Sequence, residues 1–215
     1  MKRFSLSGFQ LKYIALITMV FDHIQYFFEY TGKIPIWFTM IGRLAAPLFL
    51  FAVIEGFVHT HNRKKYFLRI YALAILMGLI QFGFYNFLHP LVRPDGFFPQ
   101  NMMLSSFAIL LVALQGIAWI QEKKYLKGIL TLLFPILEVL AFVSVSLVWV
   151  LMAIVVGRLS IHDLMFKYIE WMEIFAAPLM LCYNGQRGKG SKYLFYVFYP
   201  THIYLLYALS VIFYR

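Results

Sequence analysis

Nine ionisable side chains fall within or at the edges of long apolar runs: Lys12, Asp22, His23, Arg43, Glu55, Glu138, Glu170, Glu173 and His202. A charge in hydrocarbon costs about 2.5 kcal/mol or more, so each needs a partner or a function. Lys12 and His23 are eleven positions apart. On an α-helix that spacing returns to within about 20° of the same azimuth and climbs about 16 Å. The two side chains therefore share one face, with Lys12 at the mouth of a channel and His23 near its middle. An imidazole gains and loses a proton near neutral pH, which suits general-base work. Asp22 is offset by about a quarter turn and reaches that imidazole only from the side, or else serves another helix. The structural alternatives are a histidine bonded to a neighbouring helix and a lysine snorkelling to the headgroups.

Arg43 stands in Ile41-Gly42-Arg43-Leu44-Ala45-Ala46-Pro47, where Gly42 admits a second backbone and Pro47 is expected to bend the helix. An arginine there requires an anion, from a carboxylate or a phosphate-bearing ligand. Glu55 is the natural carboxylate to pair with a base. In Phe198-Tyr199-Pro200-Thr201-His202 the proline frees a carbonyl one turn back, and Tyr199 and His202 are placed in a pocket wall. Glu170 and Glu173, one turn apart, are either paired carboxylates or caps of a helix start. Glu138 has no partner in its local sequence. The segment Asn184–Lys192 holds three glycines and three bases, a composition able to wrap phosphates. His59 and His61 belong to a polar loop. No His-x-x-His or His-Glu-x-x-His spacing occurs, so no metal is expected.

The elements that must position these groups follow from composition. Of 215 residues 62% are hydrophobic and 13% charged, against about 45–50% and 25% in soluble domains. So little polar side chain cannot cover a globule in water, which leaves lipid as the main solvent. Disorder and coiled coils are excluded by the same figures. The net charge of +10 lies mainly in short loops rather than on a soluble module, so nucleic acid is not an expected partner. One cysteine, Cys182, rules out an internal disulfide. The basic start Met1-Lys2-Arg3 precedes an apolar run that carries Asp22-His23 and lacks an A-x-A-like site, so it reads as a retained span.

A spanning helix takes about 20 apolar residues. Leu11–Phe28, Ile36–Val58, Tyr66–Leu88 and Met102–Ile120 qualify, followed by Met165–Tyr183 and Tyr193–Tyr214. Between them Gly128–Gly157 is either one tilted helix of about 45 Å or two short ones. The expected fold is all-α: a single domain, residues 1–215, forming a polytopic membrane helix bundle of seven or eight transmembrane helices. Lys2, Arg3, Arg63, Lys64, Lys65, Arg69, Lys123, Lys124 and Lys127 fall on one side if the first four spans alternate. That side, with the N-terminus, is expected in the cytoplasm of a multi-pass cell-membrane protein.

Leu11-Lys12-x-Ile14-Ala15-Leu16 leading to Asp22-His23, Ile41-Gly42-Arg43-Leu44-Ala45-x-Pro47, and Glu55-Gly56-Phe57 with Thr60 and Arg63 resemble the TraX family. So do Tyr183-Asn184-Gly185 with Arg187-Gly188 and Phe195-Tyr196-Val197-Phe198-Tyr199-Pro200-x-His202. The resemblance implies a membrane acetyltransferase of the kind that acetylates the N-terminal amine of pilin. It also implies kinship with multi-span membrane acyltransferases, in which a basic residue precedes a catalytic histidine by eleven positions, as Lys12 precedes His23. Acetyl-CoA would be the donor, with Lys12, Arg63, Lys64, Lys65 and Arg69 meeting its phosphates at the cytoplasmic mouth, Arg187 adding to them from the glycine-rich loop, and Arg43 offsetting negative charge on a CoA phosphate or the tetrahedral oxygen. His23 would take the acceptor's proton, aided by Asp22, with Lys12 offsetting negative charge. Glu55, Tyr199 and His202 would line the acceptor's place, and membrane lipid surrounds the whole. A membrane-associated protein or peptide is the expected acceptor. The alternatives are a glycan or lipid hydroxyl, a small proton-coupled transporter using Asp22, His23 and Glu173, and a non-catalytic appendage-assembly factor.

Overall fold

The computed structural model describes residues 5–87, 92–99, 103–137, 139–140, 170–190 and 192–214. Helix α1 spans Gly8–Phe28 and opens with a capping box in which Ser7 and Gln10 satisfy each other's backbone N–H groups. It ends in a 3₁₀ turn, Glu29–Thr31, closed by Gly32 at φ 63°, whose N–H donates to the Glu29 carbonyl. Helices α2 (Trp37–Gly42) and α3 (Ala45–His59) form one interrupted span. Pro47 was expected to bend this helix, and the break lies one turn earlier, at Arg43-Leu44. Proline supplies no N–H to the carbonyl four residues back, which is that of Arg43, so the ladder opens there.

Asn62 then starts α4 (Arg63–Phe87) by accepting the Lys65 N–H at 2.8 Å. Helix α5 covers Met103–Gln121, a turn with Lys123 at φ 62° reverses the chain, and α6 runs over Tyr125–Leu137. A 3₁₀ turn at Glu170–Phe175 leads into α7 (Ala176–Leu181), and α8 closes the chain at Lys192–Tyr214 with Pro200 inside it.

Among the described residues four helices are long and apolar enough to cross a membrane: Trp37–His59, Arg63–Phe87, Met103–Gln121 and Tyr193–Tyr214. These match four of the expected spans. The expected first span is a helix of the anticipated extent but is not one of the four. It carries Lys12, Asp22 and His23 and packs against α2, α3 and α8, while Tyr13 and Ile17 on its outer side stay exposed. Glu138 and most of Gly128–Gly157 lie outside the described residues, as does the start of Met165–Tyr183.

Two apolar clusters hold the bundle. Met77, Phe107, Leu111 and Ile203 join α4, α5 and α8, and Leu11, Ala15, Leu48 and Ala176 join α1, α3 and α7. Helix α4 buries only Ile70 and Met77 and exposes Leu68, Ile75, Leu79 and Phe82. Such a surface is tolerable only against hydrocarbon. Helices α1 and α2 approach closely: a Cβ at Gly42 would overlap the Asp22 side chain. At the far end Arg93 is 5% exposed, pairs with Asp95 at 2.6 Å and donates to the Phe27 carbonyl at 2.9 Å. The rings of Tyr30, Phe97 and Tyr214 surround its guanidinium. It thereby caps the C-terminus of α1, where a cation is favoured.

Gly42→Ala should destabilise the bundle by about 1–3 kcal/mol, the usual cost of overpacking, read as a lowered thermal midpoint in detergent. An unchanged midpoint would show that α1 and α2 separate without cost. The hydrogen bonds from Arg93 hold the Asp95 carboxyl below the usual carboxylate range. A carboxyl lowered on folding stabilises the fold above its unfolded pKa, about 3.9, and loses that contribution as pH falls towards the folded value. The midpoint difference between wild type and Asp95→Asn should therefore shrink below about pH 4. A difference constant from pH 7 to pH 3 would assign the pair no such role.

Candidate functional site

The site is assembled around α1. Its first-turn N–H groups cannot bond within the helix, and the chain between α7 and α8 supplies their acceptors. Gly8 and Phe9 donate to the carbonyls of Gln186 and Arg187 at 2.8 and 2.9 Å, and Leu6 donates to Cys182 at 2.8 Å. The loop read as a phosphate wrapper thus spends these carbonyls on the helix start, while the side chain of Arg187 is left to line the adjoining cavity.

Lys12 and His23 share one face as the spacing predicts, and both meet α8. The Lys12 ammonium lies 5.8 Å from the Phe195 ring centroid, and His23 faces His202. Because low numbers pair with low and high with high, α1 and α8 run parallel, and both start at the end where the loop is stitched to Leu6.

At that end a cavity of about 810 Å³ opens between α1, α3, α4, α5 and α8. Lys12, Lys65, Arg69 and Arg187 give it a cationic mouth. Further along the helix axes its wall is apolar and aromatic, with Met19, Phe107, Phe198 and Tyr199. Of the cations expected to meet a donor, Arg69 and Arg187 line this space, while Arg63, Lys64 and Arg43 do not. Arg63 turns onto the ring of Phe57, 4.6 Å away, while the expected Lys65 stands in the lining. Arg43 follows Gly42 at the contact with Asp22, on the α2 side of α1. Asp22 is thus held against α2, away from the face that carries His23.

Glu55 and Tyr199 also line the cavity. The Glu55 carboxylate accepts from the Tyr183 hydroxyl at 3.0 Å and lies 3.3 Å from Nδ1 of His59. Burial, and then the hydrogen bond to Glu55, raise the pKa of the Tyr183 hydroxyl, so it remains a donor. Glu55 therefore ties α3 to the loop that holds the start of α1.

His202 was placed in the acceptor wall by its sequence. It is 6% exposed, does not line the cavity, and lies against His23 with Nε2 2.7 Å from His23 Nδ1. The ring planes differ by 21° and the centroids are 4.9 Å apart. A separation larger than the N···N distance by about a ring's width means the imidazoles meet edge to edge. The other nitrogen of His202, Nδ1, lies 2.8 Å from the Phe198 carbonyl. Thr201 likewise donates to the Val197 carbonyl at 2.7 Å, so both side chains after Pro200 bond back to carbonyls one turn earlier. Met19 and Tyr199 lie one turn before His23 and His202 along their helices, which puts the histidine pair just past the inner end of the cavity. No group of three metal-binding side chains gathers among the described residues.

A family model described as TraX protein matches residues 7–163 of this chain. The probable fimbrial assembly protein FimC, serogroup H1, of Dichelobacter nodosus is 27% identical over 243 aligned residues, covering 93% of this chain and 94% of its own. No solved structure matches. The family match takes in Lys12, His23 and three of the four apolar spans, well over half of the length, and the chain belongs to the TraX family.

Proposed function

We propose that this protein is a membrane acetyltransferase that moves an acetyl group from acetyl-CoA to an amine of a membrane-associated protein or peptide, such as a pilin-like N-terminus. The observation that carries the proposal is a cation-rimmed cavity whose inner end lies about one helical turn short of a histidine pair. The anionic phosphates of CoA suit the Lys12, Lys65, Arg69 and Arg187 mouth, and the apolar wall suits the thioester arm. The acceptor nitrogen attacks the thioester carbon, its proton passes to His23, and the C–S bond breaks as the tetrahedral oxyanion collapses. The same proton then goes from His23 to the departing sulfur, so amide and CoA thiol are the products. Fimbrial assembly in the name of the Dichelobacter relative supports an acceptor of fimbrial type.

The cation-rich end belongs in the cytoplasm by the positive-inside rule. The parallel run of α1 and α8 supports an odd number of spans, hence seven, with the C-terminus on the opposite side of the membrane. The relative's name equally favours a second reading, a non-catalytic assembly factor that binds its client and transfers nothing.

Labelled acetyl-CoA and purified protein separate the two readings. His23→Ala should lower CoA release by about 10²–10⁴-fold, the usual worth of a positioned base, without lowering the thermal midpoint by more than a few degrees. Equal release by wild type and variant would remove His23 from the chemistry, and no release by folded wild type would favour the assembly reading. Arg69→Ala and Arg187→Ala should each raise the KM for acetyl-CoA about tenfold, as expected for one lost charge-assisted contact, with kcat nearly kept. Unchanged KM in both would place the donor elsewhere.

A further inference from the structure

We propose that His202 is a positioning residue which fixes His23 in the one tautomer that can serve as a base; the proposal rests on the acyl-transfer reading above. A carbonyl oxygen only accepts hydrogen bonds, so Nδ1 of His202, 2.8 Å from the Phe198 carbonyl, must carry its proton. A neutral imidazole has one N–H, so Nε2 of His202 presents a lone pair. Nδ1 of His23, 2.7 Å from that lone pair, is then the donor. The remaining nitrogen of His23, Nε2, is left unprotonated, as a general base requires.

The backbone sets the chain of donors. Pro200 interrupts the hydrogen-bond ladder of α8, and the carbonyl that orders the chain belongs to Phe198, two residues before it. The Phe198 ring lies nearly parallel to the His202 ring, 14° apart with centroids at 4.9 Å, and holds its plane. His202 is 6% exposed, so water does not compete for its nitrogens, whereas His23 is only half-buried. The arrangement repeats the logic of a catalytic triad with a backbone carbonyl as the anchor: one group fixes which nitrogen of the base holds the proton. His202 itself touches no substrate and acts through His23.

The full-length protein with ¹⁵N-labelled imidazoles, in lipid nanodiscs, tests this by NMR alongside turnover of labelled acetyl-CoA. In the wild type, the resonances that vanish in His23→Ala should report a protonated Nδ1 and an unprotonated Nε2. His202→Gln keeps an acceptor oxygen near the place of Nε2 and should preserve that pattern, with kcat within about tenfold of wild type. His202→Phe fills the space but accepts nothing. It should scramble the His23 tautomer and lower kcat by about 10²-fold or more, since a wrong tautomer costs about 10⁴ in a hydrolytic triad, at unchanged KM for acetyl-CoA. Protonation of His23 at Nε2 in the wild type would overturn the proposal, and so would an unaltered His23 pattern in a folded His202→Phe. If that variant does not fold, the wild-type pattern and His202→Gln decide: loss of the pattern in His202→Gln overturns it. Failure of the acyl-transfer reading shows separately, as absent CoA release from wild type whatever its tautomer.

Discussion

The ionisable groups of helix α1 must be kept from lipid, and the arrangement of the other helices follows from that constraint. The helix carries an ammonium, a carboxylate and an imidazole over little more than three turns, and each is turned towards a neighbouring helix. Lys12 faces Phe195 of α8, Asp22 sits against Gly42 of α2, and His23 meets His202 of α8. The helix ends are enclosed as well. The carbonyls of Gln186 and Arg187 receive the first amides, and Arg93 caps the last turn from the other side. The apolar helices α4 and α5 have the opposite problem: they need only hydrocarbon outside and one another inside. A polar axis within an apolar jacket is the stable solution, because hydrocarbon offers no partner to an unpaired polar group.

The cavity inherits its character from this layout. It lies along the side of α1 that faces α8, so one end opens among loop residues rich in bases and the other closes against packed aromatics. Four cations around one opening repel one another, and Glu55 is the single carboxylate lining it among the described residues. That carboxylate accepts from Tyr183 and lies close to His59, so its charge offsets part of the repulsion among the cations. A bound polyanion would neutralise repulsion that the empty mouth retains, which favours binding through the charges and leaves specificity to the apolar wall.

Much of this was legible in the chain because it depends on local geometry. The eleven-residue spacing put Lys12 and His23 on one face, the apolar runs located four spans to within a few residues, and Pro47 announced an interruption. What could not be read depends on which helices become neighbours. His202 looked like a pocket wall because its surroundings in sequence are aromatic, and nothing within reach of it along the chain identifies a partner 179 residues away. Nothing local to Arg93 marks it for burial either, although it is among the most buried charged groups described. The choice of Lys65 over Arg63 and Lys64 turns on the azimuth at which α4 begins. Consecutive positions differ by about 100°, so the Asn62 cap decides which of three adjacent bases faces the cavity.

The hydrogen bonds between Leu6–Phe9 and Cys182–Arg187 have a consequence for how the molecule is made. Synthesis delivers α1 to the membrane first, yet the carbonyls that hold its amino end, and the imidazole that meets His23, come from the last fifth of the chain. At about 5–20 residues per second, the 179 residues between His23 and His202 take roughly 10–35 seconds to emerge. Through that interval the most polar helix is present without its two closing partners. Until the closing helix arrives, the amino end of α1, Lys12 and His23 lack the contacts that hold them in the finished bundle.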